Sequence, residues 1–271
     1  MKINNVIFYF GEELTSEQVG FFEKYGFLQF RSFISKEKVL EILDDLKKVQ
    51  YYVISNGIQR VRGVPLKFGK DIDGIPLLQR MAFTSLFSDK VAEVLKDPRL
   101  KSLFQLLKRD VDYCRIGEVE KDGAVFNHYV NCDNSGYSRL GWHTDALRDL
   151  FYFKKLMPML NVGLHFDDYP AERGGLRVIP GTHNQSAWNT LFRKKYFINH
   201  DPDPDEVGLD ILAGDLTVHD GRLWHRVEKS NIYGEKSRRR VIYIPFVTGK
   251  FKPRKENARP KLYQYLYKFV K

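Results

Sequence analysis

Near residue 111 the chain changes its hydrophobic period: apolar residues recurring every three or four positions give way to short runs with strand-like alternation, punctuated by Gly, Asp and Pro. Before that point, Thr15-Ser16-Glu17-Gln18 has the form of a capping box and Gly26 stands where a helix would end, so residues 15–25 read as a helix and Phe27–Phe30 as a short strand. Ser35 opens a second helix with Val39, Ile42, Leu43 and Leu46 on one face. Ser88–Asp97 and Pro98–Leu107 read as two further helical stretches, the second with Pro at a tolerated first position. Pro65–Leu78, with its Gly, Pro and charge, reads as a loop. Beyond the change, strands are expected over 111–118, 124–131, 159–167, 175–179, 215–219, 222–228 and 240–247. Many short strands separated by turn residues predict an antiparallel sandwich or barrel. The expected fold is therefore mainly β with appended helices, a helical part over about 14–108 and a β core over about 111–247.

With 271 residues, 43% of them hydrophobic and 14% aromatic, the chain has enough apolar material for one large core and too much for disorder. No repeat, low-complexity tract or linker divides it, so residues 1–271 are expected to form a single domain. Lys and Arg outnumber Asp and Glu 44 to 34, a net charge of +10 that favours anionic partners. No nucleic-acid module accompanies the charge, so nucleic acid is not expected among them. The basic residues near the end, from Lys250 to Lys261, interleave with Tyr263, Tyr265, Tyr267 and Phe269, which fits a packed terminal segment. Cys114 and Cys132 cannot make a disulfide framework, which fits a reducing compartment. The apolar run Val6–Phe10 is too short for a signal peptide, and no run is long enough to span a bilayer. A cytoplasmic protein without a membrane span is expected, its oligomeric state left open.

His143-Thr144-Asp145 is the motif that carries chemistry. In an extended chain residues two apart share a face, so both end groups can reach one ion while Thr144 points away. His225, in the run from Gly214 to His225, is the candidate third donor from a distant strand. Two imidazoles and one carboxylate can hold divalent iron on one face and leave the opposite positions open, the facial triad of non-haem iron(II) oxygenases. Among the other histidines, His219 is expected to hold the Asp220-Gly221 turn and His183 to cap the turn after Pro180-Gly181-Thr182. His128 and His200 carry no partner pattern. His165, alternating with Asn161 and Gly163, either lines the cavity or packs in the core, and Trp142 is a second candidate for the cavity wall.

Glu172-Arg173-Gly174-Gly175-Leu176-Arg177-Val178-Ile179-Pro180-Gly181-Thr182-His183 resembles the N-G-x-L-x-V-I-P-G-S-H signature of the phytanoyl-CoA dioxygenase family, and the stretch from Leu14 through Leu28 is similar to that family's opening helix and strand. The resemblance runs from about residue 14 to 247. It implies a double-stranded β-helix (a cupin-like jelly roll), iron(II), 2-oxoglutarate as co-substrate and O2. It also implies an Arg on the strand after the distal His that grips the far carboxylate of 2-oxoglutarate through two parallel hydrogen bonds. Arg238, Arg239 and Arg240 compete for that role. Arg239 is preferred because it stands seven residues before an aromatic, Phe246, as the family's Arg does; the longer spacing from His225 leaves its two neighbours open. Asn127 and Asn131 match amide positions that contact 2-oxoglutarate in related hydroxylases. No catalytic residue beyond the metal ligands is expected.

The implied activity is hydroxylation of an unactivated C–H bond. Asp145 supports it, since related iron halogenases replace that carboxylate with a small residue to admit chloride. Desaturation, ring closure or epimerisation by the same cofactors, and a non-catalytic binding protein on the same fold, are the alternatives. Two basic segments, Gln59–Lys70 (Arg60, Arg62, Lys67) and Leu147–Leu156 (Arg148, Lys154, Lys155), are expected to border the cavity. They point to a small-molecule substrate, anionic or carrier-linked.

Overall fold

Thr15 starts helix α1 (Ser16–Tyr25) through a reciprocal cap, its hydroxyl accepting from the Gln18 N–H while the Gln18 amide oxygen accepts from the Thr15 N–H. Gly26, at φ 81°, closes the helix in the left-handed region and leads into the strand Phe27–Arg31. Helix α2 (Lys36–Ser55), capped by Ser35, buries Val39, Ile42, Leu46, Val49 and Val53 along one stripe. These assignments come from a computed structural model that describes residues 6–146, 156–249 and 253–260.

Among the described residues the larger sheet has nine strands. Its order is Phe8–Tyr9, Phe27–Arg31, Leu216–Asp220, Met159–His165, Gly234–Thr248, Val125–Asn131, Pro76–Met81 and Lys67–Lys70, with Cys114–Ile116 also paired to Gly234–Thr248. The smaller sheet runs Val207–Gly208, Gly175–Val178, His225–Glu228 and Leu140–His143. Alternation in the larger sheet decides what each face meets. Leu160, Val162, Leu164, Ile242, Ile244 and Phe246 belong to the core shared with α2, whereas Asn161 and Tyr243 from the same strands line a cavity. Leu140, His143, His225 and Val227 of the smaller sheet line that cavity too, so the two sheets face each other across it as the layers of a jelly roll do. Gly163 belongs to the inward set, and a Cβ there would meet Thr217 Oγ1 and the Tyr243 ring, each at 2.8 Å.

Several expected elements differ in detail. Pro65–Leu78 is not a loop: Lys67–Lys70 and Pro76–Met81 form a hairpin at the sheet edge, with Phe68 opposite Leu78. Its Pro sits at the first residue of a strand, where no ladder donor is lost, and Leu77 and Leu78 are buried. Residues 111–118 divide into a 3-10 turn, Val111–Tyr113, and a short strand, Cys114–Ile116. The Pro98–Leu107 stretch is 3-10 rather than α-helical. The strand expected from 222 begins at His225, because Asp220 holds the preceding turn by accepting from the Arg222 N–H and guanidinium. The strand expected over 240–247 extends to Gly234–Thr248. The Leu147–Leu156 segment, except Leu156, and Tyr263–Phe269 lie outside the described residues. Among the described residues no helix is long and apolar enough to cross a membrane.

Candidate metal centre

His143 ends the strand Leu140–His143, His225 begins the strand His225–Glu228, and the two are register partners with ring centroids 4.1 Å apart. Asp145 follows His143 by two residues, beside Ala146, whose N–H donates to Gly221 O at 2.7 Å. One donor atom from each of His143, Asp145 and His225 lies within 4.8 Å of the other two; His225 Nε2 is 3.6 Å from Asp145 Oδ2. His143 Nδ1 bonds Gly141 O at 2.8 Å and His225 Nδ1 bonds Leu223 O at 2.9 Å. A carbonyl oxygen only accepts, so each Nδ1 carries the proton and each Nε2 keeps its lone pair. Burial, followed by the neighbouring His143, holds the His225 pKa well below the usual imidazole value, which keeps the ring neutral. Two imidazoles and a carboxylate, all buried, fit a divalent cation such as iron(II).

Asp145 is held from the larger sheet. Asn161 Nδ2 donates to its Oδ2 at 2.6 Å, and His219 Nε2 lies 3.4 Å from the same oxygen. His219 therefore does not hold the Asp220-Gly221 turn as expected; on the strand Leu216–Asp220 it faces inward, its ring 4.3 Å from that of His225. Asp220 itself does the turn's work. His183 sits in the turn Thr182–Asn184 and bonds Glu23 O at 3.1 Å, joining that turn to α1.

The Arg cluster is separated by strand alternation. Arg238 turns outward to Glu235 and to His128 Nε2, and Arg240 forms a forked pair with Asp167. Arg239 is the buried one of the three, its guanidinium 4.6 Å from the Tyr169 ring and 5.3 Å from Tyr129. Nη2 donates to Ser138 O at 3.2 Å, while the buried Nε and Nη1 have no hydrogen-bond partner among the described residues. Two orphaned donors on a buried guanidinium fit a carboxylate, because leaving them unpaired costs about 1–3 kcal/mol each. Arg239 lines a second cavity with His165, Tyr169 and Gly175, and Tyr129, Val227 and Tyr243 line both this cavity and the one at the triad.

The remaining expected site residues divide. Asn127 lines the triad's cavity, and its Oδ1 has no partner among the described residues. Asn131 does not: the ladder shifts between Gly234 and Arg239, and its amide donates instead to Ser230 O and Ile232 O at 2.9 Å. Trp142 is not a cavity residue either. It alternates with His143, so it points to the opposite face, where it packs with Ile179 and Trp224 and donates to Asp201 O at 2.8 Å. His165 lines the second cavity, bonds Thr217 Oγ1 at 2.9 Å, and is pushed down to about 3 by burial. Of the basic loop residues, Lys67 lies opposite Arg80 in the edge hairpin. Arg62 instead turns to the Arg254 carbonyl and Glu256.

Phe197, Arg80 and Lys121 are among the cavity residues that carried no sequence signal. Phe197 stacks on His143 at 4.9 Å and takes a left-handed φ of 60°; its segment runs beside the His143 strand, with Phe197 N–H donating to Trp142 O and Trp142 N–H to Asn199 O. Arg80 and Lys121 line the same cavity.

The profile of the phytanoyl-CoA dioxygenase family matches residues 22–231. A probable alpha-ketoglutarate-dependent hypophosphite dioxygenase of Stutzerimonas stutzeri is 21% identical over 211 residues, covering 74% of this chain and 68% of that protein. Among solved structures, the epimerase SnoN in complex with Fe3+, alpha ketoglutarate and nogalamycin RO shares the fold at TM-score 0.62 and 17% identity, over 89% of this chain and 86% of its own. The alpha ketoglutarate-dependent carbocyclase SnoK from nogalamycin biosynthesis does so at TM-score 0.61 and 16% identity, over 93% and 88%. The profile match spans most of the chain, which belongs to the phytanoyl-CoA dioxygenase family of iron- and 2-oxoglutarate-dependent oxygenases.

Proposed function

We propose that the enzyme hydroxylates an unactivated C–H bond of a small molecule, with His143, Asp145 and His225 as the iron ligands and Arg239 as the clamp on the far carboxylate of 2-oxoglutarate. The observation that carries this reading is the convergence of the three donors, with both imidazoles fixed by backbone carbonyls. Iron and 2-oxoglutarate, when bound, supply with O2 an oxidant strong enough to attack a C–H bond, releasing succinate and CO2.

The chain's own residues do the rest. Asn161 and His219 orient the Asp145 carboxylate, a second layer that fixes ligand direction before any ion arrives. Tyr129 and Tyr243, lining both cavities, flank the route an elongated diacid would take from the triad to Arg239. Phe197 walls the metal side and limits water there. Asn127 is the amide that supports co-substrate contact; its oxygen, without a partner among the described residues, can accept a hydrogen bond. The substrates named for the relatives run from hypophosphite to nogalamycin RO, so family membership leaves the substrate open. The basic balance of the chain supports one that is anionic or carrier-linked.

The test is 2-oxoglutarate-dependent succinate release by purified enzyme with and without iron(II), alongside Asp145→Ala. Iron-dependent release that the substitution abolishes is the expected result. Release that needs no iron, or that survives the loss of Asp145, would overturn the assignment.

A further inference from the structure

Tyr196 touches a chain neighbour of every iron ligand while lying outside the ligand set. Its hydroxyl is 2.8 Å from Thr144 Oγ1, and Thr144 separates His143 from Asp145 in the chain. Its ring lies 4.6 Å from that of Trp224, the residue before His225. The residue after it, Phe197, stacks on the His143 ring at 4.9 Å. Tyr196 packs with Trp142, Ile179 and Trp224, and these four line neither the triad's cavity nor that of Arg239. The contacts are therefore made behind the ligands, on the face turned away from the cavity.

The direction of the hydrogen bonds follows from the groups involved. Tyr196 Oη lies 2.6 Å from Thr190 O. A carbonyl oxygen only accepts, so the phenol proton goes there and the Thr144 hydroxyl donates to Tyr196 Oη. The relay from Thr144 through Tyr196 to Thr190 O ties the link between two ligands to the short helix Ala187–Phe192. Asp145 lies beyond His143, the last residue of its strand, and is flanked by two anchors. One is the Thr144 hydroxyl; the other is the Ala146 N–H, donating to Gly221 O at 2.7 Å. The backbone around Tyr196 supplies a third hold, Phe197 N–H to Trp142 O and Trp142 N–H to Asn199 O, each at 2.9 Å. Phe197 takes its φ of 60° between these bonds, a conformation that persists only where the surroundings over-determine it.

We propose that Tyr196 is a positioning residue of the metal centre, setting the spacing between the His143–Asp145 link and His225 through Thr144 on one side and Trp224 on the other. The hydroxyl acts on Thr144 and the ring on Trp224, so substitution can separate the two. Groups that hold metal ligands in place are worth about 10–100-fold in metal affinity. The proposal rests on the iron reading, and its test distinguishes the failure of each.

Anaerobic calorimetry of the full chain with iron(II) alone reads the affinity, and thermal melting of the metal-free protein reads the stability. Wild type is expected to bind iron(II). Tyr196→Phe, which keeps the ring, and Thr144→Val, which keeps the side-chain shape, should each weaken iron(II) binding about tenfold. The double variant should be no more than about threefold weaker than either single one, because both remove the same hydrogen bond. Thr144→Ser keeps the hydroxyl and should bind within about threefold of wild type. Ser35→Ala removes the cap of α2 and lowers the melting temperature without touching the relay; its iron(II) affinity should also stay within about threefold of wild type. Unchanged affinity in Tyr196→Phe or Thr144→Val, losses that multiply in the double variant, or an equal loss in Thr144→Ser or Ser35→Ala would overturn the positioning role. A wild type that binds no iron(II) would overturn the iron assignment itself, and the role of Tyr196 with it.

Discussion

His143 and His225 face one another in the antiparallel pairing of two strands, and each ring is fixed by a hydrogen bond from Nδ1 to the carbonyl two residues before it. Both lone pairs are therefore aimed by the backbone, and no rotamer search accompanies metal binding. Replacing His225 with Ala removes one of the three donors and leaves His143 and Asp145 as the remaining two. His225→Ala is expected to retain less than a tenth of the iron that wild type holds after gel filtration, measured by atomic emission. Equal iron in both would remove His225 from the site.

Arg239 is buried, and two of its donors have no partner among the described residues, so its charge and its fork can both meet a carboxylate. Arg239→Gln should raise the KM for 2-oxoglutarate on the order of a hundredfold, about 2–3 kcal/mol for a charge-assisted contact. Arg239→Lys should recover only part of this, since an ammonium cannot make two parallel hydrogen bonds. Steady-state kinetics against 2-oxoglutarate checks both; an unchanged KM in Arg239→Gln would shift the clamp elsewhere.

Two buried histidines away from the triad make stability depend on pH. Burial, with Arg238 and Arg240 nearby, holds His128 well below the usual imidazole value, and burial brings His165 down to about 3. Both rings are neutral in the folded chain while the unfolded chain takes up their protons near pH 6.5. Their contribution is thus present above about pH 6.5 and is lost as pH falls below it, by up to about 1.4 kcal/mol per pH unit for each ring. Urea unfolding of the metal-free protein at pH 7.5, 6 and 5 should show this slope, and His128→Gln with His165→Gln should flatten it. The same slope in the double variant would contradict the assignment.

At Gly141 the His143 strand and the Phe197 segment run tightly against each other. A Cβ there would lie 2.5 Å from Phe197 O and 2.9 Å from Asn199 O, so Gly141→Ala must push the segment away from the strand. The expected cost is about 1–3 kcal/mol, with Phe197 displaced from the His143 ring. Thermal melting gives the first effect; a melting temperature equal to wild type would show that the segment yields freely.

Local signals in the chain carried the parts of the fold that depend on short-range physics. The Thr15 cap, the Gly26 stop and the α2 stripe are properties of a few neighbouring residues, and they appear where the pattern predicts. The His143, Asp145 and His225 set was legible because strand alternation links the first two and a family signature frames the third. What stayed hidden depends on pairing between distant segments. The bulge that removes Asn131 from the cavity arises in the opposite strand, and the inward turn of His219 is set by Asn161 facing it in register. Trp142 was misplaced for a different reason: the alternation that puts His143 inward necessarily puts its neighbour outward. Arg80 lies two residues past the segment read as a loop, on a strand the pattern did not mark, and Lys121 lies on a turn, so neither showed a face before the sheet was assembled.

The central claim is that one iron ion is held by two imidazoles and one carboxylate between the sheets. Crystals grown without oxygen, soaked with iron(II) and 2-oxoglutarate and measured above and below the iron absorption edge, test it most directly. A single anomalous peak within bonding distance of His143 Nε2, His225 Nε2 and Asp145, with 2-oxoglutarate density reaching Arg239, is the predicted result. A peak bound elsewhere, or no peak at this triad at full iron loading, would contradict the account.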